Sequence, residues 1–162
     1  MFFNKKKKKK ELTIYSPLNG ELIPLEEVPD PVFSQKMMGE GVGFIPTSGE
    51  VFSPIAGEVA QVFPTKHAVG LITDEGVEVL LHLGLETVEL KGEGFHIEVS
   101  EGDRLQVNDK IGDFDLALIE EKGKKTTTVL AFTNFVDKIE EQAVAQKGKI
   151  ERGKEIIELK LK

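Results

Sequence analysis

Thr65-Lys66-His67-Ala68-Val69-Gly70-Leu71-Ile72-Thr73-Asp74-Glu75-Gly76-Val77-Glu78-Val79-Leu80-Leu81-His82-Leu83 is the stretch on which the reading of this chain turns. With a period of two, Val77, Val79 and Leu81 share one face of a strand, and Glu78, Leu80 and His82 share the other. Ala68 to Thr73 reads as the preceding strand, and Asp74-Glu75-Gly76 between them favours an antiparallel hairpin. His67 and His82 lie six or seven residues from that turn, so pairing brings both imidazoles to the open end of the hairpin. Gly84 then breaks the alternation, leaving His82 near a strand end and framed by Leu80 and Leu83. A neutral imidazole, with an ordinary pKa of about 6.5, can act as a nucleophile, and apolar surroundings favour the neutral form. The same position also suits a half-buried histidine that hydrogen-bonds a carbonyl.

Outward from the hairpin the chain is a series of short strand candidates broken by Gly, Pro and Asn. They are Thr13 to Ser16, Glu21 to Leu25, Gly41 to Pro46, Val51 to Ser53, Glu58 to Phe63, Leu105 to Val107, Lys110 to Phe114, Thr127 to Thr133 and Ile156 to Leu161. This spacing predicts an all-β antiparallel sandwich or barrel with one or two short helices. One helix follows Asp115 as N-cap and ends at Lys122-Gly123; a second is expected from Asn134 through Gln142. Ser16-Pro17-Leu18-Asn19-Gly20-Glu21-Leu22 recurs 37 residues later as Ser53-Pro54-Ile55-Ala56-Gly57-Glu58-Val59. A fainter echo relates Glu101 to Val107 and Lys147 to Gly153. Two copies are too few for a solenoid and read as matching hairpin corners of a pseudo-symmetric sandwich. Val28 to Phe33 carries too many prolines for a central strand and is expected to be a loop holding Asp30, Val32 and Phe33 at the surface.

A chain of 162 residues supports one domain with a sizeable core. We expect a flexible basic tail over residues 1–11 and a single domain over 12–162. No apolar run approaches a membrane span, and no apolar segment follows the basic N-terminus as a secretory signal requires, so a cytoplasmic location is expected. With no cysteine, disulfides, thiolate nucleophiles and cysteine metal sites are excluded. The net charge is −7; without Lys5 to Lys10 the remainder carries 15 basic and 28 acidic residues, or −13. Such a body disfavours nucleic acid and suits a basic protein partner. The lysine run, with Phe2 and Phe3 ahead of it, can also touch anionic lipid.

The segments TKHAVGL and VEVLLHLGLETVELKGEGF, with SPLNGELIPLEEVPDPVF, SPIAGEV, EGDRLQVNDKIGDFDL and FTNFV, resemble enzyme IIA of the glucose family, phosphocarriers of the bacterial sugar phosphotransferase system. The resemblance runs from about Leu12 to the C-terminus. It implies the duplicated hybrid motif fold, and from a start at Met1 with a tail of its own a free-standing IIA is expected. It also implies that His82 accepts a phosphoryl group on Nε2 from the histidine-containing phosphocarrier protein and passes it to a cysteine of a sugar-specific enzyme IIB. On the same ground His67 stabilises the phosphoryl oxygens, Thr65 orients His67, and Gly84 leaves room for the donor's phosphohistidine. Asp30, Val32, Phe33, Phe63, Leu80, Leu83 and Glu86 map onto an apolar disc with an acidic edge that docks partners. Leu80 and Leu83 stand where relatives often carry Phe, and Glu86 where they often carry Asp. No cofactor is required, although a zinc ion held by His67 and His82 with a partner's carboxylate is an option that some relatives use.

Other classes fit less well. A zinc hydrolase on a related β-scaffold needs three protein ligands, and no His-x-His pair is present. A biotinyl or lipoyl carrier presents a lysine between methionines, whereas in Gln35-Lys36-Met37-Met38-Gly39 the lysine precedes both. A regulatory binding module using the histidine face is compatible with the phosphocarrier reading. His96 is expected at the surface without a role.

Overall fold

Asp74-Glu75-Gly76 turns the chain as its composition predicts: Gly76 takes a positive φ of 92°, and its N–H donates to the Thr73 carbonyl at 2.9 Å. The strands it joins, β6 (Ala68–Thr73) and β7 (Glu78–His82), pair antiparallel with Ala68 opposite His82. This computed structural model describes residues 10–162. The hairpin sits inside a sheet of eight strands. Its other members are β2 (Gly20–Pro24), β3 (Glu40–Pro46), β5 (Gly57–Val62), β9 (Arg104–Leu105), β11 (Thr128–Phe132) and β13 (Gly148–Ile150), in the order β13-β2-β3-β11-β7-β6-β5-β9. Two three-stranded sheets complete the fold. One is β1 (Glu11–Tyr15), β14 (Glu155–Leu161) and β12 (Ile139–Val144); the other is β4 (Glu50–Phe52), β10 (Lys110–Phe114) and β8 (Phe95–Ile97).

The strand order is a palindrome in which β13-β2-β3-β11 mirrors β9-β5-β6-β7. The repeated corners underlie it. Ser16 and Ser53 are both buried, and each hydroxyl donates to the carbonyl two residues on, Leu18 and Ile55, at 2.7 Å. The corners are stitched together by reciprocal backbone bonds, Tyr15 N–H to the Pro54 carbonyl and Phe52 N–H to the Pro17 carbonyl. The predicted sandwich is observed, and the large sheet does not close as a barrel: β13 and β9 stand at its two ends and do not pair with each other.

One large core fills the space between the sheets, with Val77, Val79, Leu81 and Leu83 contributed by the hairpin's inner face. A smaller cluster lies on the opposite face of the large sheet, where Val129 and Ala131 of β11 and Ile23 of β2 meet Leu25, Val28 and Phe33. Residues 25–34 can lie flat there because position 43 is glycine: a Cβ at Gly43 would come within 2.6 Å of Val28 Cγ2. The expected loop over Val28 to Phe33 instead contains a short helix, α1 (Pro31–Ser34), whose N-cap Asp30 accepts from Val32 N–H at 2.9 Å. Phe33 is buried, 5% exposed, and not at the surface as expected.

Asp115 caps α2 (Leu116–Glu121) as predicted. The second predicted helix is truncated to α3 (Phe135–Lys138), and Ile139 to Val144 becomes β12 paired with β14. A nine-residue helix is marginal in water, whereas the strand buries Ile139 and satisfies the edge of β14. Strands Phe95–Ile97 and Gly148–Ile150 were not foreseen; at three residues each they show too little alternation to read. Residues 1–9 of the expected 1–11 tail, with Lys5 to Lys9 of the lysine run expected to touch lipid, lie outside the described residues. Its boundary at residue 11 lies inside the sheet, since Glu11 opens β1 and Lys10 accepts from Leu161 N–H.

Candidate functional site

His82 ends β7 on the face away from the main core, and His67 precedes β6 directly across the ladder. Backbone pairing holds them together, with Leu83 N–H donating to the His67 carbonyl at 2.7 Å. The ring centroids are 5.0 Å apart at an interplanar angle of 79°. Each Nδ1 is occupied. His82 Nδ1 lies 2.7 Å from the Gly84 carbonyl oxygen; a carbonyl only accepts, so Nδ1 carries the proton and Nε2 of the neutral ring keeps its lone pair. The half-buried histidine that hydrogen-bonds a carbonyl is therefore observed, through Nδ1. His67 Nδ1 lies 2.6 Å from Thr65 Oγ1, the partner expected for it.

Burial pushes His82 below the ordinary histidine range, opposed by the Gly84 carbonyl and the negative charge of Asp30. His67 is pushed down to about 4, first by burial and then by the nearness of His82. At neutral pH His67 is uncharged. Aromatic edges close in on both rings: Phe33 lies 4.9 Å from His82 and Phe63 5.6 Å from His67, centroid to centroid.

The expected disc is only partly assembled as foreseen. Val32 is 42% exposed, Phe63 is half-buried, Asp30 is half-buried and Glu86 is exposed. Leu80 shares the His82 face and is nearly covered. Leu83 does not belong to the disc: it is 1% exposed and points into the main core, the direction that alternation from Leu81 requires. Gly84 serves the site differently from the role the resemblance implies. It is buried with φ +78°, and a Cβ there would meet Thr87 Cγ2 at 2.5 Å and the Lys125 carbonyl at 2.9 Å. Its missing side chain therefore faces inward, and the left-handed backbone presents the carbonyl to His82. Thr87, also buried, ties the turn by donating to the Leu83 carbonyl at 2.6 Å.

A cleft of about 280 Å³ extends the dish along Phe63, Gly70, Leu80 and Met38. Met38, 37% exposed, was missed as part of this face; a methionine pair after a proline-started turn is the signal available for it. Lys36 does not offer a free carrier amine, because Nζ bridges Glu26 at 3.0 Å and Glu40 at 3.2 Å. His96 is at the surface as expected, 3.7 Å from Glu98. Among the described residues no three His, Asp or Glu side chains converge as a metal-ligand group, which removes the donor set a zinc hydrolase needs.

Residues 12–138 match the family described as phosphoenolpyruvate-dependent sugar phosphotransferase system, EIIA 1. The chain is 55% identical over 125 residues to the PTS system glucose-specific EIIA component of Halalkalibacterium halodurans, covering 77% of this chain and 72% of that protein. It is 52% identical over 134 residues to the protein of the same description from Staphylococcus aureus, covering 83% and 81% respectively. Among solved structures it resembles glucose permease IIA from Mycoplasma capricolum, with a TM-score of 0.87, 34% identity and coverage of 98% and 99% of the two chains.

Proposed function

The chain belongs to the EIIA 1 family of the phosphoenolpyruvate-dependent sugar phosphotransferase system, a phosphotransfer component of sugar uptake, and on that premise we propose that His82 Nε2 is its phosphoryl acceptor. The observation that carries this is the tautomer imposed by Gly84, which leaves Nε2 as the nucleophilic nitrogen beside a second imidazole. The donor is the phosphohistidine of the histidine-containing phosphocarrier protein, and the acceptor is a cysteine of a glucose-family enzyme IIB, both met in the cytoplasm.

The Nε2 lone pair forms the new P–N bond as the donor's P–N bond breaks, and the released electron pair returns to the donor imidazole. Phosphoryl transfer is loose in character, so alignment and charge stabilisation are the protein's contribution. With the Thr65 hydroxyl donating into Nδ1, His67 carries its proton on Nε2 and donates it to a phosphoryl oxygen as charge builds there. Phe33, Phe63 and Leu80 keep water from the phosphoramidate during docking, and Asp30 and Glu86 attract basic partner residues. A zinc ion at His67 and His82 would take further donors from a docked protein, a carboxylate being suitable; the two imidazoles fit that part, and no step of the transfer runs through the metal.

Radiolabelled phosphoryl transfer from the phosphocarrier tests the assignment. His82→Ala should take up no label. His67→Gln should still accept it and pass it to enzyme IIB roughly a hundredfold more slowly. Full labelling of His82→Ala would overturn the reading.

A further inference from the structure

Beside the dish, a cleft of about 300 Å³ is lined by Pro29, Asp30, Leu85, Glu86, Lys124 and Lys125. An acidic rim that attracts basic partners thus carries a lysine of its own. Lys124 Nζ lies 2.6 Å from Glu89 Oε1 and 3.9 Å from Glu86 Oε1. Its side chain is 17% exposed, against 70% for Glu86 and 63% for Glu89.

The backbone fixes this lysine in place. Gly123, at φ +80°, ends α2 with its N–H donating to the Glu120 carbonyl, and Lys124 N–H reaches back to the Ile119 carbonyl at 3.0 Å. This paired arrangement is a Schellman helix end. One residue on, the Lys125 carbonyl accepts from Leu85 N–H at 3.0 Å, docking the segment against the turn that carries Glu86. The two bonds of Lys124 are unequal: the short one anchors it to Glu89, and the long one leaves Glu86 loosely held at the cleft's edge. Asp30 lines the same cleft and is close enough for its charge to be felt at His82.

We propose that Lys124 is a built-in counter-ion of the docking rim, a specificity-determining residue that stays on Glu89 and yields Glu86 to an arginine or lysine of the arriving phosphotransfer partner. The inference rests on the phosphocarrier reading above. In the free protein Lys124 lowers the negative field at the rim and restrains association with weakly basic surfaces. A partner presenting a cation at Glu86 replaces the loose 3.9 Å contact with a direct one, so discrimination is built into the displacement.

The test is stopped-flow association of full-length protein with purified histidine-containing phosphocarrier protein at several ionic strengths. Removing one unit charge beside Glu86 should raise the low-salt association rate of Lys124→Gln about two- to threefold and steepen its fall with salt. Lys124→Arg should restore the wild-type rate, which a merely loosened turn would not explain. Glu86→Gln should associate more slowly, and in that background Lys124→Gln should lose most of its gain, because the carboxylate it uncovers is gone. An unchanged or slower rate for Lys124→Gln, or an undiminished gain without Glu86, overturns the proposal. If wild-type His82 takes no phosphoryl group from the carrier, the functional reading falls and the inference with it. If it loads normally while Lys124→Gln associates at the wild-type rate, only the inference falls.

Discussion

The two halves of the large sheet begin from the same corner and diverge one strand later. After Ser16-Pro17-Leu18, β2 is joined to β3 by residues 25–39; after Ser53-Pro54-Ile55, β5 is joined to β6 by residues 63–67. The long connection folds down on the sheet as an apolar cover, with Phe33 against His82. The short one is a tight turn that delivers Thr65 and His67. Both connections reach His82 on the same face. The difference teaches that the duplicated framework carries no chemistry by itself: the site arises where two unlike connections of like hairpins converge. The two glycines at matching places, in Val42-Gly43-Phe44-Ile45 and Val69-Gly70-Leu71-Ile72, follow the same division. Gly43 lies beneath the cover, whereas Gly70 floors an open cleft.

The largest effect expected from this division is on the short connection. Burial holds His67 down to about 4, against about 6.5 in the unfolded chain. Between those values the unfolded state binds a proton that the folded state refuses, so stability from this group is fully present above about pH 6.5 and is lost as pH falls to about 4. The loss is at most about 3 kcal/mol. Urea midpoints of wild type and His67→Gln should therefore diverge over that window, with the variant falling less. Parallel curves would mean that His67 is not buried neutral.

A smaller effect separates the paired glycines. Gly43→Ala drives a methyl to 2.6 Å from the β-branched Val28, itself buried, and should cost about 1–3 kcal/mol as overpacking lifts the cover. Gly70→Ala meets nothing nearer than Gln61 Cβ at 3.7 Å and should change stability by less than about 1 kcal/mol, since a strand accepts a side chain readily. Chemical denaturation of the two variants compares the halves directly, and equal costs would break the contrast. Below the Gly43 cost lies Thr65→Val, which keeps the shape, leaves His67 Nδ1 without its 2.6 Å partner and should cost about 1 kcal/mol by the same measurement. A tenfold slower onward transfer to enzyme IIB alongside that modest loss would identify Thr65 as a positioning residue for His67.

Much of the framework was legible because it depends on local pattern. Alternation placed β6 and β7, the turn residues placed their hairpin, and the Ser-Pro repeat announced matching corners whose serines make the same bond. The same alternation, applied one residue further, already assigned Leu83 to the core; framing His82 with it ignored the period-two rule. Phe33 was harder, because a proline-rich segment reads as surface loop until a glycine on another strand is known to lie beneath it. Lys124 was not legible at all, being 35 residues from Glu89 and brought there by a helix end and a bridge to Leu85.

By itself, then, the sequence determined the β-rich class, the register that sets His67 beside His82, and the charge that suits basic partners, since each follows from neighbours along the chain or from composition. Tertiary structure alone decided which nitrogen of His82 is free, which apolar residues face outward, where the predicted helix gives way to β12, and which lysine answers the acidic rim. Those outcomes depend on atoms from segments remote in sequence meeting at fixed distances, and a single carbonyl, methyl or ammonium placed there changes the result.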